Sequence, residues 1–202
     1  MFTSKFKIIL ILTIAVLATG CTAVISPHVS ESEFLSSAIK NPGKVQLFVT
    51  DEFRTHKESQ TEAMDLKSWE YDLGPMAVDT FKYALGSRFY SVEVKLGKPT
   101  FPIVENGQNE IVIAVEPSFA GFDAHFPWVF KFETYVAEVT FHVKAYNKNG
   151  SQILNKTYQG KGEQRGSIGY ESAGHAANPI ASQLAVKDAV NQAVEDILKA
   201  IK

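Results

Sequence analysis

From Tyr135 to Ala145 every second residue is apolar: Tyr135, Ala137, Val139, Phe141, Val143 and Ala145. The residues between them are Val136, Glu138, Thr140, His142 and Lys144, mostly polar. Period-two alternation on this scale belongs to an extended strand with one buried and one wet face. Asn147-Lys148-Asn149-Gly150 then supplies turn chemistry, with Gly150 free to take a positive φ. A second extended run returns from Gln152 to Lys161. The pattern predicts a long β-hairpin over residues 135–162, and the rest of the chain must supply a cover for its apolar face.

The remaining segments provide that cover. Val45, Leu47 and Val49 predict a first strand. Residues 51–72 are polar and read as a long loop, with Trp69 and Tyr71 near its end packing back on the body. Leu73-Gly74-Pro75 opens a helix, with Asp72 or Gly74 as its cap and Pro75 in the first turn, on which Val78, Phe81, Leu85 and Phe89 share one face. A short strand at residues 91–95 follows. Ile111 to Val115 is apolar at every position, as expected of a central strand covered on both faces. In the aromatic stretch 119–135 the parity of apolar positions switches near Thr134, which predicts either a β-bulge there or an earlier half that leaves the sheet. Asn178-Pro179 caps a last helix with Val186, Val190, Ala193, Ile197 and Ile201 as its buried stripe. The expected fold class is α+β: an antiparallel-dominated sheet of about five strands with the long hairpin, and two helices packed on one face.

The first residues fix an expected address. Lys5 and Lys7 precede an apolar run from Ile8 to Leu17, then the small residues Ala18-Thr19-Gly20, then Cys21. This is the form of a secretory signal peptide, too short for a comfortable membrane span. Cys21 is the chain's single cysteine and directly follows the small residues, as in a bacterial lipobox. The expectation is removal of residues 1–20, lipidation of Cys21, a tether over 21–43 and a single domain over 44–202. A diacylglyceryl group plus an amide-linked palmitate-type chain exceeds the two-signal requirement for stable anchoring. Thr22 is not Asp, so an inner-membrane retention signal is missing; the expected location is the outer membrane, periplasmic face.

Net charge is −2, and residues 1–20 hold two lysines and no acid, so the remainder is more acidic still. That argues against a nucleic-acid partner, which needs a basic face. There is no Gly-x-Ser-x-Gly elbow, no His-Glu-x-x-His and no Walker loop. Residues 160–166, GKGEQRG, lack the spacing of a phosphate loop and read better as flexibility at a strand end. No pair among His28, His56, His125, His142 and His175 lies at i,i+4, and no cluster has zinc spacing, so neither a metal nor a cofactor is expected. Asp123 and His125 are read as sharing a loop and could form an acid/base pair, although a chain of this length offers such pairs by chance. The aromatic stretch has two readings. Phe119, Phe130 and Phe132 could be core; or Phe122, Phe126 and Trp128, around Pro127, could form an exposed tip that contacts a partner or the membrane interface.

The chain as a whole resembles a known group. A lipobox is followed by strand, helix ending in Phe, apolar strand, a long strand of the form A-x-V-x-F-x-V-x-A, an Asn-Gly turn, a returning strand and a closing Ala/Val-rich helix ending DILKAI. This pattern is similar to the small envelope lipoproteins related to YajG and LptE, whose fold is similar to the amino-terminal domain of TolB. The likeness implies a non-enzymatic accessory of an envelope, export or transport complex with an envelope protein partner, and it transfers no catalytic residue. The alternative is a binding module that holds a lipid or glycolipid in an apolar cleft between helices and sheet. Both readings leave the oligomeric state open, including a homo-oligomer.

Overall fold

The computed structural model describes residues 22–34, 41–61, 68–103, 111–125, 134–165 and 172–201. In chain order these form β1 (Thr22–Ile25), a 3-10 turn (Glu31–Phe34), β2 (Asn41–Val49), α1 (Asp51–Arg54), β3 (Lys57–Thr61), β4 (Ser68–Asp72), α2 (Leu73–Arg88), β5 (Phe89–Leu96), β6 (Val112–His125), β7 (Thr134–Asn147), β8 (Gln152–Arg165) and α3 (Ser172–Ala200). The class is α+β, as expected. A five-stranded sheet runs in the order β5-β2-β6-β7-β8, and a three-stranded sheet in the order β1-β4-β3.

The hairpin predicted from alternation is present. β7 and β8 pair antiparallel from Thr134↔Arg165 to Tyr146↔Gln152, and Gly150 turns the chain at φ 90°. Ala137, Val139, Phe141, Val143 and Ala145 are fully buried beneath the helices, while Glu138, Thr140, His142 and Lys144 point to the wetter side. β6 extends the antiparallel ladder on the other side of β7. β2 then joins β6 and β5 through parallel pairings, so the sheet is mixed: the two long ladders are antiparallel and the two pairings of β2 are parallel. The all-apolar run at the start of β6 lies at the centre, with Val112, Ile113, Ala114 and Val115 all buried. On the face away from the helices, the segment after β5 brings Phe101 against Tyr146 (5.3 Å between rings), and Ile103 donates its N–H to Lys148 O.

Three expectations need correction. Residues 51–72 are not one long loop. Thr50 caps α1 by accepting from Phe53 N–H, and β3 and β4 pair as a hairpin. The polar sequence of β3, KESQT, hides a strand because it buries little; Trp69 and Tyr71 of β4 do the burying. The tether, residues 21–43, contains a strand: β1 pairs parallel with β4, and Ile25 and Val29 are buried. Finally, α3 begins at Ser172 and carries Pro179 within it, rather than starting there. The last strand residue before α2 offers no side-chain cap either; His56 O accepts from both Leu73 and Gly74 N–H instead. Gly74 is required at this point, because a Cβ would overlap Arg54 O and lie 2.7 Å from His56 N.

β6 carries a bulge between Phe119 and Gly121. The bulge or departure from the sheet expected near Thr134 rests on residues 129–133, which lie outside the described residues. One extra residue shifts parity, so that Phe119 (opposite Phe141) and Phe122 (opposite Val139) both face the helices. The parity switch near Thr134 coincides with the start of β7.

Candidate functional site

Three regions could carry function: the anchored end, the far half of β6, and the seam between α3 and β8. Cys21 lies outside the described residues, but the chain after it is placed. Thr22 opens β1 opposite Ser68 of β4, level with Thr61 at the end of β3 on the other side of β4. The segment then crosses toward the helices. Glu33 accepts from Lys187 Nζ (2.7 Å) and from Gln183 Nε2 (3.1 Å) on α3. Phe34 stacks obliquely on Tyr83 of α2 at 6.4 Å, under the Lys187 ammonium. The Lys187 hydrogen bond is the main reason the Glu33 carboxyl is held below its usual range, helped by Ser30 N–H. A segment whose composition reads as linker is thus tied to both helices.

In the far half of β6, Phe119 joins an aromatic cluster with Phe53 (4.9 Å) and Phe141 (4.9 Å), and His56 stacks flat on it at 4.0 Å. His56 Nε2 lies 3.0 Å from Glu58 Oε1. Phe122 is half-buried with its ring 4.8 Å from Tyr71, so of the proposed aromatic contacts this one rests against the small sheet. Phe126 and Trp128 lie outside the described residues, as do Phe130 and Phe132; His125 and Thr134 bracket that stretch. Asp123 and His125 are brought together at 3.2 Å, both well exposed on the strand, and Asp123 also accepts from Gln60 of β3 at 3.4 Å. That contact places the end of β6 beside the end of β3, the same end at which β1 begins.

The seam between α3 and β8 shows what residues 160–162 do. A Cβ at Gly162 would overlap Ala181 O and lie 2.6 Å from Ala185 N; at Gly160 it would overlap Ala185 O and lie 2.5 Å from Ala189 N. The Gly-x-Gly pair therefore lets the Ala181, Ala185, Ala189 face of α3 lie directly on strand backbone. The expected role as strand-end flexibility gives way to one of close packing. Because β8 is the sheet edge, its outward backbone groups need partners. α3 supplies them: Asp188 accepts from Lys161 N–H (3.2 Å), and Gln192 donates to Gln159 O (3.0 Å). One turn further, Asp196 accepts from Lys156 (2.7 Å), Lys199 (2.9 Å) and the Tyr158 hydroxyl (3.3 Å). The two lysines pull the Asp196 pKa down to about 2, while burial, reinforced by Asp196, pushes the Tyr158 hydroxyl well above its ordinary value. This i,i+4 series was readable in principle as a polar line beside the alanine stripe.

Among the described residues, no group of three or more His, Cys, Asp or Glu could hold a metal ion. His142 contacts Thr157 across the hairpin at 3.2 Å, and His28 is exposed. No helix among the described residues is long and apolar enough to cross a membrane.

Comparison with known proteins gives a fold relationship. No family model matches the chain, and no curated protein matches it. Among solved structures, it is similar to a Xanthomonas campestris protein of family DUF330 at a TM-score of 0.52 and 10% identity, covering 88% of this chain and 96% of that one. A minor lipoprotein from Acinetobacter baumannii matches at a TM-score of 0.41 and 10% identity, over 79% and 92% of the two chains. The hypothetical protein CT253 from Chlamydia trachomatis matches at 0.38 and 12% identity, over 80% and 96%. The first of these shows a shared fold over most of both chains.

Proposed function

We propose that the protein is a lipid-anchored, periplasm-facing lipoprotein of the bacterial outer membrane, acting as a non-enzymatic accessory or assembly subunit of an envelope, export or transport complex. The observation that carries this reading is the placement of Cys21. It follows the small residues Ala18-Thr19-Gly20 and directly precedes β1, which is paired into the body of the protein. Lipidation there leaves almost no slack between anchor and fold, so the body lies against the bilayer on the side where β1 sits. Such a tether suits a part held at the membrane for a partner better than one that must sample the periplasm. The finer likeness to the YajG and LptE group agrees with this reading and rests on the sequence pattern alone.

The aromatic residues Phe126 and Trp128 are the proposed contact, with Phe122 at their base. The stretch that holds them follows His125, the last residue of β6, which ends on the side where β1 begins. In this reading it reaches an envelope protein partner close to the bilayer surface. The test is cross-linking mass spectrometry on the natively lipidated protein in mild detergent, beside Trp128→Ala. One envelope protein that cross-links to the wild type and is lost in the variant supports the proposal. Co-purification of lipid with no protein partner contradicts it and favours the lipid-holding alternative.

A further inference from the structure

The two edges of the five-stranded sheet are treated differently. The β8 edge is covered by Asp188 and Gln192 of α3. At the opposite edge, β5 pairs with β2 alone among the described residues. Tyr90 is 73% exposed, Leu96 68% and Val94 37%, so apolar side chains line this edge instead of caps. A bare apolar edge is a site for pairing with another strand.

The backbone phase of that edge is fixed. Gly97 donates its N–H to Val49 O, and Val49 stands opposite Leu96 in the parallel ladder. Residues 93, 95 and 97 therefore direct their backbone groups inward, to β2, and residues 92, 94 and 96 direct theirs outward. The sequence around Val94 is self-complementary. Read outward from Val94 within the strand, Glu93 is matched by Lys95 and Val92 by Leu96. Within one chain Glu93 and Lys95 already attract each other at 2.6 Å, with both side chains substantially exposed.

We propose that β5 pairs antiparallel with β5 of a second copy, about a two-fold axis at Val94, to form a continuous ten-stranded sheet. The Val94 pair exchanges N–H···O=C bonds, which is what its outward phase allows. Glu93 then lies opposite the second copy's Lys95, twice over, and Val92, Val94 and Leu96 of the two copies merge into one apolar strip. Val92 already lies beneath the last turn of α2, 4.0 Å from where a Gly86 Cβ would stand, so the strip continues the existing core. A two-fold axis normal to the sheet keeps both helix layers, and with them both β1 strands, on the same side. Two lipid anchors can then enter one bilayer. The match of phase, charge and apolar side chains about one residue favours a second copy over an unrelated strand.

The test is disulfide cross-linking on isolated membranes, using the full lipidated chain. In the proposed register the two Val94 Cα atoms lie roughly 5.5 Å apart, within the disulfide range of about 4.4–6.8 Å, so Val94→Cys cross-links into a dimer. Leu96→Cys places its two thiols about 13 Å apart along the ladder and does not cross-link. On the Val94→Cys background, Lys95→Glu sets like charges opposite each other and lowers dimer yield by about tenfold, and adding Glu93→Lys restores it. Monomeric Val94→Cys overturns the interface. Equal cross-linking at residue 96, or a dimer indifferent to Lys95→Glu, overturns the register. The unaltered chain serves as control: its own disulfide dimer through Cys21 contradicts the lipid anchor and leaves the β5 pairing to be judged by the charge swap.

Discussion

Gly162→Ala tests the packing of α3 on the sheet. The added Cβ would overlap Ala181 O and stand 2.6 Å from Ala185 N and 2.9 Å from Ala181 C. All three atoms are helix backbone, so no side chain can swing aside. Relief to ordinary contact, about 3.4 Å or more, needs a shift of the order of 1 Å by α3 or β8. That shift opens the Ala181, Ala185, Ala189 contact and loosens the Asp188 and Gln192 bonds to the β8 edge. Overpacking of this kind costs typically about 1–3 kcal/mol, and rigid neighbours on both sides place the cost near the top, about 3 kcal/mol. For a domain of this size that corresponds to a fall in melting temperature of roughly 6–12 °C. The assay is urea and thermal unfolding followed by circular dichroism. Gly121→Ala is the internal control, since its Cβ meets only the Thr140 side chain at 3.9 Å. It is expected to be neutral or to stabilise by a few tenths of a kcal/mol. If Gly162→Ala unfolds within about 0.5 kcal/mol of the wild type, the close helix–strand contact is refuted.

Other predictions follow from the same contacts. Asp196→Asn removes a carboxylate whose folded pKa is depressed, so its contribution is present above about pH 4 and is lost as pH falls toward about 2. The variant is expected to be less stable than wild type at pH 7, by less than about 1 kcal/mol, with the gap closing in acid unfolding series near pH 2. Asp188→Ala frees the Lys161 N–H at the sheet edge, and amide exchange at Lys161 should quicken while exchange at buried Val139 stays unchanged. Glu33→Gln weakens the tie to Lys187 and should raise cleavage by added protease within residues 26–34, leaving the core intact; unchanged cleavage contradicts the docking of this segment.

The parts of this fold legible in the sequence are those with a strong period. The alternation from Tyr135 to Ala145 gave β7 its length and inward face, and the stripe from Val186 to Ile197 gave the register of α3. What escaped reading has little period of its own. β1 is four residues long, and β3 is polar throughout because the burial in that small sheet comes from Trp69 and Tyr71 next door. Gly160 and Gly162 looked like flexibility because their reason lies on another element, the alanines at 181, 185 and 189. Two glycines at strand spacing and alanines at helical spacing are each visible in the sequence; their fit appears only when both are folded. At the candidate site, the sequence indicated the anchor and the aromatic stretch, whereas the pairing of Phe122 with Tyr71 and a β5 edge unpaired among the described residues follow from tertiary neighbours.

The central claim is that the chain is held at the membrane through Cys21. The most direct test is the mass of the amino-terminal peptide from protein purified out of membranes. The account predicts a chain that begins at Cys21 and carries the mass of a diacylglyceryl group and an amide-linked acyl chain. An unmodified cysteine, or a chain that begins at any other residue, would contradict it.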